Sequence, residues 1–404
     1  MVELIFWASL LLIAYTLVGY PALAYLRGSL WKRGVQRAEI TPRISLVMVA
    51  HNEAAVIHRK LENLLSLDYP RELLEIILAS DGSDDGTDEI VAEYEARGIR
   101  LLRMPRRGKI PALNAAVAQA TGEILVFSDA NSMYAEDALR VLVRPFADPT
   151  VGGVAGKQCY LEGGISSAAG GERAYWSFDQ DLKLLQSAAG SVTSATGAIY
   201  AIRRELFEPV PTGVGDDAVV SYRVIARGYR MVFEPEAKAY EPVSPSADAE
   251  FRRKVRVCAR GLMGLCVVPQ LFNPFRFGFY SFQLLSHKLL RWLLAWPLLA
   301  LFLTSFVLQS GSLFYRSAAV AQVIFYGLAT AGYLARNRTN HHEGSLRLFA
   351  LPFYFSLANA AFMLALLWVI QGRRIDSWEV RRSESAGASL VSVRANKSEG
   401  GAGR

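Results

Sequence analysis

The chain has 404 residues, 52% of them hydrophobic, and its 44 Lys and Arg outnumber its 37 Asp and Glu for a formal charge of +7. That apolar share exceeds what one soluble domain buries and leaves room for membrane spans beside a single compact domain. No nucleic-acid-binding module is recognisable, and the basic residues cluster beside apolar segments, so the positive excess points to an anionic membrane face or a phosphorylated substrate rather than DNA or RNA.

In chain order, residues 1–27 come first, with a nearly uncharged run over 4–26. At about 1.5 Å per residue such a run crosses a hydrocarbon layer of roughly 30 Å. It lacks the charged start, short apolar core and cleavage site of a secretory signal, and Arg27, Lys32, Arg33 and Arg37 follow it. It therefore reads as an uncleaved anchor with the next domain in the cytoplasm.

Residues 40–260 form that domain. The β-rich run ISLVMVA ends at His51, Asn52 and Glu53, and a helical period through Leu61, Leu64 and Leu65 follows. Residues 74–79 repeat the strand and stop at Asp81-Gly82, before a helical stretch over 87–97. Residues 123–127 make a third strand ending at Asp129, and 231–233 read as a later edge strand. Strands alternating with helices predict an α/β fold: an open, mostly parallel sheet with helices on both faces and a site at the strands' carboxyl ends. The first strand runs into AHNEAA with no GxGxxG, and no P-loop is present, which argues against hydride transfer and nucleoside-triphosphate hydrolysis.

Residues 261–286 are apolar and aromatic but interrupted by Pro269 and Pro274, so they read as interfacial helices. Residues 287–372 hold three further runs of spanning length, at 289–308, 318–335 and 348–370. Arg336, Arg338, His341, His342 and Arg347 suit a cytoplasmic loop, yet four spans would put the C-terminus outside together with Arg373, Arg374, Arg381 and Arg382, against the positive-inside tendency. The polar tail, 373–404, is expected to be largely disordered. Cys159, Cys258 and Cys266 have neither the number nor the spacing of a disulfide framework or zinc site.

Three acidic clusters carry the chemistry: Asp81 in ASDGSDDGT, Asp129 in VFSDANS, and Asp216 with Asp217 in GVGDDAVV. Sugar transfer from a nucleotide donor needs a base for the acceptor proton and positive charge for the departing diphosphate. A divalent ion on a strand-end Asp meets the second need, and Asp129 is the candidate. Plainer readings stand beside these. DGSDDGT is good turn and cap chemistry, Glu53 can cap a helix, Lys109 can sit in a solvated basic turn, and Asp216 and Asp217 suit a helix start.

The segments VAHNEAAVI, ASDGSDDGT, RRGKIPALNAAVAQATGEILVFSDAN, GAIYAIRRE and GVGDDAVV, in that order, give residues 44 to about 260 a resemblance to the family 2 inverting glycosyltransferases of GT-A fold, which include membrane synthases of hyaluronan, chitin and cellulose. The resemblance implies that His51 and Glu53 line a base and ribose pocket, that Asp81 bonds to the uracil or ribose side of the donor, and that Lys109, with Asn114, contacts the donor. It implies Mg²⁺ or Mn²⁺ on Asp129 and Asn131, the latter standing where the family has Asp. Asp217 would be the general base beside Asp216, and repulsion between adjacent carboxylates raises one of their pKa values.

In the stretch matching the polymerising members' QxxRW, Arg256 remains to clamp the diphosphate, but the Gln and Trp are gone. Single-sugar addition thereby stands beside processive synthesis. The implied partners are a nucleotide-sugar donor, most simply a UDP-sugar, a glycan or lipid-linked acceptor, the bilayer and polysaccharide-export proteins. A polyprenyl-phosphate sugar transferase and a non-catalytic nucleotide-binding scaffold are the alternatives.

Overall fold

The computed structural model of the chain describes residues 1–161, 167–243, 246–335 and 343–373, with side chains throughout except in 167–177, 335 and 343–347. The expected basic loop, the arginines at 374, 381 and 382, and nearly all of the polar tail lie outside the described residues.

Eight strands form one sheet: β1 (Ile44–Ala50), β2 (Leu74–Asp81), β3 (Ile99–Met104), β4 (Ile124–Asp129), β5 (Met133–Tyr134), β6 (Val151–Tyr160), β7 (Tyr200–Arg203) and β8 (Arg230–Glu241). Their order is β3-β2-β1-β4-β7-β6-β8-β5. The first four are mutually parallel. Beyond β4 the sheet is mixed, because β7 runs antiparallel to both neighbours while β6 and β8 pair in parallel. The segment expected as an edge strand, 231–233, is the start of β8 and pairs with β6 alone, while the two residues of β5 pair with the far end of β8 at Ala239 and Tyr240.

Every residue of β1 is buried, as befits a parallel strand covered on both faces. The period of two sends Ile44, Leu46 and Met48 against Ile57, Leu61 and Leu64 of helix α1 (Ala54–Leu65). Val47 and Val49 meet Ile110 and Leu113 of α2 (Lys109–Ala118) on the other face. That second core continues through α4 (Asp216–Ala226) and α5 (Ala247–Val267) to the apolar helices, joining sheet and bundle, while Leu182 of α3 (Ser167–Ala189) packs with Tyr20 and Ala24 of the N-terminal helix.

Among the described residues three helices, Val2–Leu30, Leu313–Leu334 and Leu348–Ile370, are long and apolar enough to cross a membrane. The pair Phe279–Leu293 and Ala295–Leu308, bent by 54°, makes a fourth if it counts as one span. On the first, Phe6, Ser9, Ile13, Thr16, Tyr20 and Ala24 are buried while Leu4, Leu11 and Val18 are exposed. Ser9, Thr16 and Ala24 inward beside Phe6, Ile13 and Tyr20, with aliphatic side chains outward, suits a helix packed in lipid. Pro269 and Pro274 each open a short helical turn between α5 and this bent pair.

The link from the N-terminal helix to the sheet is fastened by Arg230. Its buried guanidinium donates to the carbonyls of Gly34 and Gly190 at 2.8 Å, Arg33 at 3.1 Å and Ser187 at 3.3 Å. Its charge is spent on carbonyl dipoles of two segments, 33–34 and 187–190, so it locks backbone to backbone.

Candidate active site

The carboxyl ends of β1, β2 and β4 deliver His51, Asp81 and Asp129 to one rim of the sheet. What joins them is the loop ahead of α2. Asp81 is fully buried, and its carboxylate accepts hydrogen bonds from Arg107 N at 2.8 Å, Gly108 N at 2.9 Å and the Arg106 guanidinium at 2.9 Å. Gly82 makes this approach feasible: it sits at φ +63°, and a Cβ there would lie 2.8 Å from Arg106 N. The expectation that Asp81 bonds directly to the donor therefore meets a different arrangement, in which both oxygens already hold the 106–108 loop.

That loop aims Lys109. Its ammonium stands 3.0 Å from Asp129 Oδ1 and 3.1 Å from Asp216 Oδ2. Burial opposes its charge, but Asp129, Asp216 and, further off, Asp217 outweigh that and hold it well above the ordinary lysine range. Acids separated by more than a hundred positions thus converge on residues 106–109. Gly197 leans over this cluster, and a Cβ there would be 2.8 Å from Asp129 Oδ2.

Asp216 and Asp217 open α4, and Asp217 Oδ1 accepts from Ala218 N at 2.8 Å. Burial first, then the neighbouring Asp216, pushes the Asp217 carboxyl up to about 6, although Lys109 and the Ala218 N–H pull the other way. A carboxylate with that affinity for protons is poised to act as a base near neutral pH.

His51 Nδ1 donates to the Asp81 carbonyl at 3.0 Å, which puts the proton of a neutral ring on Nδ1. Glu53 occupies the N-cap of α1 without a side-chain capping bond. Asp85 does that work across the chain, accepting from Ala54 N at 3.0 Å. Asn131 is half-buried in the turn after Asp129. Arg256 lies on α5, where burial and then Arg260 and Arg253 lower it to about 10 while Asp129 pulls it back up. α5 meets the acidic helix start through Gly215 N, which donates to the Arg260 carbonyl at 3.3 Å.

Asn114 is not brought to this cluster. Its amide donates to the Val210 carbonyl and accepts from Val210 N, both at 2.9 Å, so it staples α2 to a distant loop. Asn114→Ala is expected to lower stability by about 2 kcal/mol, measured by thermal unfolding, while donor affinity by calorimetry stays within about threefold.

The sequence reading missed Lys60, Tyr200 and Glu241. Lys60 and Glu241 are buried behind Asp129. Tyr200 is buried and stacked on Phe127 at 4.6 Å, and it lines the small cleft shared by Lys109, Asp129, Gly197 and Asp216. A charge on the apolar stripe of α1 was the available signal for Lys60. Neither Tyr200 nor Glu241 had one, since a tyrosine or an acid in a strand is ordinary.

Among the described residues no group of three or more His, Cys, Asp or Glu side chains could hold a metal by itself. Asp129 and Asn131 nevertheless offer hard oxygens, and Mg²⁺ or Mn²⁺ is commonly held by one or two carboxylates completed by substrate phosphates. The ammonium already lodged between Asp129 and Asp216 marks a place that gathers positive charge. The residues fit such an ion bound together with a diphosphate.

Residues 45–210 match the family model described as Glycosyl transferase family 2. Poly-beta-1,6-N-acetyl-D-glucosamine synthase of Staphylococcus aureus (strain COL) is 28% identical over 225 residues, covering 53% of this chain and 53% of that protein. The synthase of the same name from Staphylococcus epidermidis gives the same figures. The chain spans about half the length of the curated relatives it matches. Among solved structures, the mannosyltransferase PcManGT from Pyrobaculum calidifontis, in complex with GDP-Man and Mn²⁺, is similar at a TM-score of 0.69 and 25% identity, over 93% of this chain and all of that one.

Proposed function

The chain carries a glycosyl transferase family 2 domain, and from that premise we propose that it moves a sugar, with inversion, from a nucleotide-diphosphate donor to a glycan or lipid-linked acceptor in the making of a cell-surface polysaccharide. One observation carries the proposal: Lys109 binds Asp129 and Asp216 at once, so the diphosphate end and the base end of the reaction share one cleft. The staphylococcal relatives support a polysaccharide product, the apolar helices support a membrane enzyme, and Arg27, Lys32, Arg33 and Arg37 after the first of them favour a catalytic domain on the cytoplasmic side.

In this reading Asp217 takes the acceptor hydroxyl's proton as that oxygen attacks the anomeric carbon from the face opposite the diphosphate. The new C–O bond forms as the bond to phosphate breaks, and a single displacement inverts the centre. Asp129 and Asn131 would hold a divalent ion, Mg²⁺ or Mn²⁺, together with the diphosphate, and such an ion would supply positive charge to the leaving group. Lys109 and Arg256 add fixed positive charge beside it, and Asp81 keeps Lys109 aimed. His51 and Glu53, at the end of β1, are assigned to the nucleoside side.

Purified full-length protein with Mn²⁺, screened against UDP- and GDP-sugars, is expected to release the nucleoside diphosphate and to give a product of inverted anomeric configuration by NMR. A retained configuration, or no turnover with any donor, sinks the reading. Because Asp217 must be ionised and its pKa is raised to about 6, kcat/KM is expected to be flat above that pH and to fall about tenfold per unit below it. A profile flat down to pH 5 would contradict the assignment of the base.

A further inference from the structure

We propose that Lys60 is a positioning residue: its ammonium, buried beneath residues 128–132, closes the turn that presents Asp129 and Asn131 together to a divalent ion. The proposal rests on the metal-dependent transfer argued above.

Lys60 lies on the inward stripe of α1 with Ile57, Leu61 and Leu64 and has no exposed surface. Its Nζ donates to Ser128 Oγ at 2.8 Å and to the Ser132 carbonyl, and it sits 4.3 Å from the centre of the Tyr134 ring. One ammonium therefore grips the residue before Asp129 and the residue after Asn131. One helical turn on, Asn63 extends the grip, donating to the Tyr134 carbonyl at 2.9 Å and accepting from Tyr134 N at 2.8 Å. From the opposite side the Ser132 hydroxyl bonds to Glu241, which also accepts from Gln158 at 2.5 Å.

A buried ammonium is costly, and at a position flanked by Ile57, Leu61 and Leu64 a methionine would serve packing as well or better. No carboxylate lies within 4 Å of Lys60 among the described residues, and the acids whose charge it feels, Asp129 and Glu241, act from further away. The charge is thus not there to complete an ion pair. What it does is hold two loop oxygens on either side of the expected metal ligands, which is how outer groups orient the groups that touch a metal.

The test uses the full-length protein in detergent micelles, with Mn²⁺ binding followed by electron paramagnetic resonance in the presence of UDP or GDP, alongside initial rates against Mn²⁺ concentration. Lys60→Met is expected to weaken Mn²⁺ binding, and to raise the half-saturating Mn²⁺ in the rate assay, by about tenfold or more, with kcat at saturating Mn²⁺ within about threefold of the parent. Ser128→Ala, which removes one of the two grips, is expected to shift Mn²⁺ binding in the same direction by about threefold.

Wild-type Mn²⁺ affinity in Lys60→Met overturns the proposal, as does a fall in kcat at saturating metal with no change in half-saturation. Should Lys60→Met fail to fold, as judged by gel filtration, Ser128→Ala decides, and an unshifted half-saturation then overturns the proposal. A parent protein that transfers sugar without added metal and binds no Mn²⁺ would instead overturn the function reading itself, which keeps the two failures apart.

Discussion

Asp217→Asn is expected to lower sugar transfer by roughly 10²–10⁴-fold, the range for losing a positioned general base, while donor binding stays close to that of the parent. The amide cannot take a proton from the acceptor, yet its oxygen can still accept the Ala218 N–H bond that anchors the side chain at the start of α4. The backbone there is further tied by Ser221, whose hydroxyl donates to the Asp217 carbonyl at 2.7 Å. The substitution thus removes the proton acceptor and leaves the scaffold. Calorimetry of donor binding beside a transfer assay separates the two, and full transfer activity would end the assignment.

The second large effect is expected at Asp81. Asp81→Asn replaces an oxygen that receives N–H donors with an NH₂ group that confronts them, and should cost about 3 kcal/mol in thermal unfolding. It should also cut transfer at least tenfold, because Arg107 and Gly108 fix the start of the helix that carries Lys109. Arg106→Ala gives the contrast. That side chain is over a third exposed, so its loss should cost below about 1 kcal/mol. Equal losses in the two variants would mean that the carboxylate serves the ion pair and not the loop.

Within the parallel half of the sheet β1, β2 and β4 were legible because they are apolar on both faces and stop abruptly at polar residues: ISLVMVA at His51, the second at Asp81, the fourth at Asp129. The other half was hidden by its own chemistry. β6 carries Gly152 and Gly153 near its start, and β8, beyond its short apolar start, sets only Pro235, Ala237 and Ala239 against Glu234, Glu236 and Lys238, too weak an apolar face to read as a strand. β3 interleaves Arg100 and Arg103 with its apolar residues and reads as a loop. In the site, motif order pointed to the acids, but sequence does not tell which partners a side chain takes. That Asp81 accepts from the 106–108 loop, and that Asn114 bonds to Val210, is visible only in the fold. Lys60 looked like one more polar residue on a helix, although its spacing from Ile57, Leu61 and Leu64 already put it inward.

The clamp at Arg230 has a bearing on reach. With the carbonyls of Arg33, Gly34, Ser187 and Gly190 gathered on one guanidinium, the catalytic domain has little freedom to swing on its N-terminal stalk. Under the proposed function, with the first helix spanning a bilayer, the cleft would hang at a set altitude over the leaflet, and an acceptor carried by a lipid would be reached only where its end comes level with Asp217.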